Sequence, residues 1–193
     1  MIRSIIITAS IFLSSNILTA QFLGENLGRN INTTNSERFP HISPDGKTLY
    51  FSRSFDPNNK GGKKDYEDIW YSEWDNKKNN WTKAKNMGDP LNNTVPNFIN
   101  SISPDGNTLF LGNSYGENEP NGDGASISKR TYSGWSFPKK LNIDQFDNIS
   151  VRANFFLSNS MKTMILSIEQ KKDSYGDRDL YVSFMVSDSM WSK

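Results

Sequence analysis

The chain contains no cysteine, and that single absence removes several chemistries. Disulfide staples, thiolate metal sites and a cysteine nucleophile are all excluded. So is a lipid anchor on a cysteine following a signal sequence. Histidine is nearly absent too: His41 stands alone, so a His-based zinc site has no set of ligands and a Ser-His-Asp arrangement would rest on one residue. No Gly-x-Ser-x-Gly elbow is present to pair with it. Charge of one sign is lacking as well. The formal net charge is +1, which gives no electrostatic reason to expect nucleic acid as a partner. Beyond residue 20 no apolar run approaches the roughly 18 residues of a membrane span.

Hydrophobic residues make up 35% of the 193, and the mean hydropathy is −0.66, both low for a packed domain. Aromatics reach 12%, which a disordered chain of this polarity would not carry. Together with abundant Asn, Ser, Gly and Asp, this is the composition of short strands joined by many turns. Met1 to Ala20 reads as a secretory signal peptide. Arg3 supplies the positive start, Ile5 to Leu18 the apolar core, and Leu18-Thr19-Ala20 a small-residue cleavage site before Gln21. Export to the periplasm or the outside is therefore expected, with no membrane span after cleavage.

Ile42-Ser43-Pro44-Asp45-Gly46-Lys47-Thr48-Leu49-Tyr50-Phe51 returns 60 residues later as Ile102-Ser103-Pro104-Asp105-Gly106-Asn107-Thr108-Leu109-Phe110-Leu111. Proline presets the first turn dihedral, Asp bonds its own backbone, and Gly takes the positive φ. Asp45 and Asp105 are thus turn residues before they are candidate catalytic carboxylates. Asn26-Leu27-Gly28 and Asn86-Met87-Gly88 recur at the same interval, as connections between units. In the first unit, strands are predicted at Arg38 to Ile42, Thr48 to Ser54 and Asp68 to Trp74, with a fourth opening at Trp81. The second unit repeats them at Phe98 to Ile102, Thr108 to Asn113, Ala125 to Thr131 and Trp135, with a long loop up to Gly124. A third, eroded unit runs through Asn154 to Ser158, Met164 to Ile168, Asp179 to Ser183 and Trp191, where Asn159-Ser160-Met161 replaces Pro-Asp-Gly. Trp81, Trp135 and Trp191 lie 54 and 56 residues apart at equivalent points.

A single four-stranded antiparallel sheet cannot bury both faces, and stacking such units radially makes propeller blades. The expected fold is therefore all-β: a β-propeller of four-stranded antiparallel blades, here a partial arc of about three. The blades are expected near 34–88, 94–141 and 150–193, the last incomplete, after the signal peptide at 1–20. Too few blades are present to close a ring, so the chain is expected to be a fragment of a longer product, or to complete the ring as a dimer.

Phe39 to Ser52, followed by Asp68-Ile69-Trp70-Tyr71-Ser72 and Trp81, resembles the WD-like repeat of TolB-type propeller proteins, of the kind often found with OmpA-type domains in the cell envelope. The resemblance implies a six-bladed propeller when complete, used for binding a protein or envelope component rather than for catalysis. The sequence departs from that pattern where Glu37 is replaced by Asn97 and Arg152, and where Asp68 and Asp179 have Ser126 between them. A sialidase-like, glycan-active propeller is the competing reading, and a truncated remnant the third. The former lacks the spacing of an Asp-box and a positioned carboxylate set.

No catalytic, cofactor-binding or metal residues are assigned, and the ligand-binding residues are left open. Two loose oxygen-rich clusters, Glu117 to Gly124 and Asp173, Asp177 and Asp179, lack EF-hand spacing. Trp70, Trp74, Trp81 and Trp135 are expected in the packing between blades rather than against sugars. Asn32, Asn92 and Asn148 fit the short glycosylation pattern.

Overall fold

The structure, a computed structural model, describes residues 24–117, 119–150, 153–188 and 190–193. The expected signal peptide at 1–20 lies outside the described residues. The fold is all-β: three mainly antiparallel sheets stack as a partial propeller arc.

The first sheet contains β1 (Glu37–Ile42), β2 (Thr48–Arg53) and β3 (Asp68–Asp75), edged by the short β4 (Asn80–Trp81) and β5 (Lys85–Asn86). The second contains β6 (Ile99–Ile102), β7 (Thr108–Gly116) and β8 (Glu119–Thr131), edged by β9 (Gly134–Trp135) and β10 (Lys139–Lys140). The third contains β12 (Asn154–Leu157), β13 (Thr163–Ile168), β14 (Asp179–Ser187) and β15 (Met190–Trp191), with β11 (Asn142–Ile143) laid parallel along β15. The first strands β1, β6 and β12 pack on one another, so they line the axis of the arc.

Side-chain alternation sorts each sheet into two faces. Tyr50 and Ile69 of the first sheet meet Ile99, Leu109 and Leu111 of the second in one apolar core. Phe110 and Ala125, on the second sheet's other face, meet Phe155, Leu157, Met164, Leu166 and Ile168 of the third. Trp135 and Trp191 are buried in these two cores and Trp70 in a third, with Ile31, Leu49, Phe51 and Ala84 on the first sheet's other face, while Trp74 and Trp81 pack edge-to-face at 5.3 Å.

The repeated turn forms the same way three times. Ser43, Ser103 and Ser158 each accept on their carbonyl the N–H of the third residue onward, at 2.8 Å. Their hydroxyls accept the N–H of Thr48, Thr108 and Thr163 at 2.8, 2.9 and 3.2 Å. Gly46 and Gly106 hold φ of 72° and 70°, and Met161 takes the same left-handed conformation at 59°. The third turn is thus eroded in sequence and intact in shape. Its Ser160 hydroxyl stands where the Asp45 carboxylate sits against Ser43.

The outer strand is broken in two in the first and second sheets, and a hydroxyl intervenes at the equivalent place in all three. Ser72, Ser128 and Ser183 donate to the carbonyls of Thr82, Ser136 and Ser192 at 2.5, 2.6 and 2.6 Å. In return the Thr82, Ser136 and Ser192 hydroxyls accept the N–H of Glu73, Lys129 and Phe184. One expectation fails in detail. The stretch after Asn113 up to Gly124 is not a long loop: β7 continues to Gly116 and β8 begins at Glu119, pairing Ser114 with Gly122 and Gly116 with Glu119. Two register shifts, with Asn113 at φ 68° and Gly124 at φ 128°, let this Gly-rich and Asn-rich hairpin extend past the sheet.

Candidate binding site at the mouth of the arc

Where the first strands begin, a cleft of about 420 Å³ opens between the three sheets. It is bounded by the starts of β1, β6 and β12 and by the segments joining second to third strands. Arg38 is its best-defined cation. Its Nη1 donates to the Tyr66 hydroxyl at 3.0 Å and lies 3.8 Å from Glu67 Oε2. The guanidinium stands 5.5 Å from the ring centroids of both Phe39 and Tyr66. The Tyr66 hydrogen bond raises the Arg38 pKa above its ordinary value, with Glu67 helping and burial opposing. Arg38 is a permanent positive charge with part of its surface still open.

Beside it Phe39 and Phe98 stack at 4.7 Å with planes 20° apart, joining the first two sheets across the axis. This stack requires Gly112. A Cβ built there would lie 2.1 Å from two atoms of the Phe98 ring, so no side chain fits without moving the ring. Asn113 ties the approach to β6 by donating from Nδ2 to the Pro96 carbonyl at 2.9 Å. On the far rim stand Asp123, Asn154 and the exposed Arg178.

The rim is held from below by a buried ion network in the first sheet. Arg53, 4% exposed, reaches Glu37 at 3.0 Å, Asp56 at 3.4 Å and the Ile31 carbonyl at 2.7 Å, and lies 4.1 Å over Trp70. Asn59 locks the loop by donating to the Arg53 carbonyl and accepting from Trp70 Nε1. Beneath Tyr66 and Glu67, Asp68 accepts the Lys60 N–H and Asn86 Nδ2, both at 2.7 Å, and Asp65 accepts the Gly61 N–H at 2.9 Å. The remaining Oδ1 of each is buried without a partner. Burial pushes Asp68 up to about 6, the nearby Asp65 carboxylate adding to the rise against the bonds from Asn86 and Lys60.

The residues singled out from sequence fall in different places. His41 Nε2–H donates to the Ile99 carbonyl at 2.8 Å, tying β1 to β6, and burial lowers its pKa. Asp45 and Asp105 are held below the usual carboxylate range, first by the Ser43 and Ser103 hydroxyls and then by the N–H of Lys47 and Asn107. They lie at the opposite end of the inner strands from the mouth, where Ser43 to Asp45 and Asp105 to Asn107 border a smaller cleft. Among the described residues no three His, Asp or Glu side chains converge as metal ligands, and the described part of Glu117 to Gly124 is drawn out along the hairpin. Asn92 of the second glycosylation pattern is buried, its Nδ2 donating to Ile69 and Asn86.

Sequence reading did not find Arg53, Phe98 or Gly112. A signal existed for the last two: Leu111-Gly112-Asn113 breaks a strand pattern with a glycine, which often marks close approach of another group. No helix among the described residues is long and apolar enough to cross a membrane. No protein-family profile matches the chain, and no curated protein compared with it is a match.

Proposed function

We propose that the chain is a non-enzymatic binding module of the TolB-like propeller type, working outside the cytoplasm and holding a protein or cell-envelope partner at the mouth of the arc. The observation that carries this is the mouth itself. A permanently charged Arg38 adjoins the stacked rings of Phe39 and Phe98 on a scaffold of fixed strands, with Arg178 opposite. Cation and aromatic surface together suit recognition of a partner offering carboxylates and apolar side chains. The polar groups nearest to chemistry are committed elsewhere, His41 to a backbone carbonyl and the turn aspartates to their own backbone.

The test is capture from an envelope extract by the wild-type chain and by a variant carrying Arg38→Ala with Arg178→Ala. A partner recovered by the wild type and lost by the variant is the expected result. Failure to recover any partner, together with hydrolysis of a glycan or peptide panel, overturns the reading in favour of a glycan-active propeller.

A further inference from the structure

The repeat supplies an internal control for what each sheet face needs. The pairings Ser52↔Ile69, Gly112↔Ala125 and Ser167↔Leu180 occupy equivalent places in the three sheets. Ile69 and Ala125 are each 0% exposed, because the next sheet lies on them, whereas Leu180 is 77% exposed. One row along, Tyr50 and Phe110 are buried, but on the third sheet Phe156 and Val182, which flank Ile165, stand open. An uncovered repeat face in a soluble array is usually polar, and this one is not. The rim pairs Thr48↔Glu73 and Thr108↔Lys129 become Thr163↔Phe184, so the uncovered sheet is more apolar than the covered ones.

We infer that this face is an interface between two copies of the chain, joined face to face about a two-fold axis. Three observations select that occupant. First, the cross-strand rows Asn154–Ser167–Leu180, Phe156–Ile165–Val182 and Thr163–Phe184 contain no charged side chain, so the face meets its own image without repulsion. Second, scaled by exposure, its large apolar side chains present on the order of 600 Å² per copy. Two copies bury about 1,200 Å², the lower bound of a specific interface, and the roughly 600 Å² on each copy stands at the upper end of what a monomer's largest apolar patch usually exposes. Third, the opposite end of the arc does not offer a matching open face. There Leu49, Phe51 and Trp70 are already buried, and the Arg53 guanidinium lies 4.1 Å over Trp70 and 5.4 Å from Phe51. Head-to-tail closure would set an open sheet against a covered one, whereas like-to-like pairing covers both open sheets at once.

The experiment is sedimentation velocity on the purified chain without the expected signal peptide at 1–20. The expected sedimenting mass is twice that of a single copy. Leu180→Lys with Val182→Lys, both at exposed positions, weakens association more than about 100-fold and leaves a folded monomer by circular dichroism. The absence of native cysteine gives a second readout. Single variants Ile165→Cys, Val182→Cys and Phe184→Cys are oxidised in turn, and at least one, lying near the two-fold, cross-links to itself. A folded wild-type monomer, or a disordered aggregate, overturns the inference and assigns the face to a further blade of a longer form of the chain. A dimer that survives the double lysine variant, or that yields no self-cross-link, also overturns it.

Discussion

Gly112→Ala adds one methyl group to the molecule and tests how the mouth is built. On backbone grounds alone the change should help, because glycine within a strand costs roughly 0.5–1 kcal/mol relative to alanine. The new Cβ, however, would sit 2.1 Å from the Phe98 ring, far inside contact distance. Phe98 must leave its place over β7 and with it the 4.7 Å stack on Phe39. Overpacking of this kind costs about 1–3 kcal/mol and a lost aromatic pair about 0.5–1.5 kcal/mol. After the backbone gain is set against these, the net expectation is about 2 kcal/mol of destabilisation. In a chain of this length that lowers Tm by roughly 4–8 °C. Urea and thermal unfolding followed by tryptophan fluorescence measure it. The decisive form is a double-mutant cycle with Phe98→Ala. Once the ring is gone the methyl group has room, so Gly112→Ala in that background becomes neutral or mildly stabilising, and the coupling reaches at least 1–2 kcal/mol. Equal effects of Gly112→Ala with and without the ring would refute the account, as would a stable wild-type background carrying the extra methyl unchanged.

Two further changes probe the elements around the mouth and the turns. Met161→Gly relieves a left-handed position at φ 59° that its two counterparts give to glycine but gives up the Met161 packing on the core between the second and third sheets, so the two effects nearly offset and urea melts should shift by less than about 1 kcal/mol; a loss as large as a full core truncation, about 2–5 kcal/mol, contradicts the reading of the third turn. Asp68→Asn should stabilise the fold by about 1–2 kcal/mol at pH 7.5, since an amide can accept from Lys60 and Asn86 while donating to the orphaned Oδ1 of Asp65. The wild-type pH dependence has a definite sign. With a folded value near 6 against an ordinary 3.8, Asp68's contribution is fully present below about pH 4 and is lost as pH rises through 6. Unfolding midpoints at pH 4.5 and 7.5 should therefore differ less in Asp68→Asn than in wild type, and an unchanged difference would refute the assignment.

Much of the fold was legible because the repeat is written in residues whose backbone demands are strong. Ser-Pro-Asp-Gly announces a turn from chemistry alone, and tryptophans at matching intervals place the sheet edges. Less visible were the hydroxyls of Ser72, Ser128 and Ser183, because serine is common and its role appears only when Thr82, Ser136 and Ser192 lie opposite. The third turn was read as eroded because the letters changed, although Ser160 and Met161 keep the geometry at some steric cost. The long second hairpin was read as a loop because glycine and asparagine signal turns. Here they supply bulges within paired strands. The mouth itself was not legible. Arg38, Tyr66 and Phe98 come from separate stretches, and only the stacking of sheets brings them together.

Comparing equivalent positions separates what the arc needs from what the mouth is for. Where the requirement is structural the three units agree: the turn serine, the following threonine and the third-strand serine recur in each. Where the chain faces the mouth they diverge. At equivalent places ahead of the turn serine stand Arg38, then Phe98, then Ala153, and around the start of the third strand the cleft meets Tyr66 and Glu67, then Asp123 and Gly124, then Arg178. Three copies of one site would have kept the same side chain at each position. Three different side chains converging on one cleft instead make a single asymmetric surface, with a cation, a stacked aromatic and a small residue in fixed order. On the proposed binding function, such a surface would distinguish the two ends and two sides of a partner. A ligand seated there would touch all three sheets, so its binding should depend on Arg38 and on Phe98 together, and the Phe39–Phe98 stack is the element through which the first two blades share it.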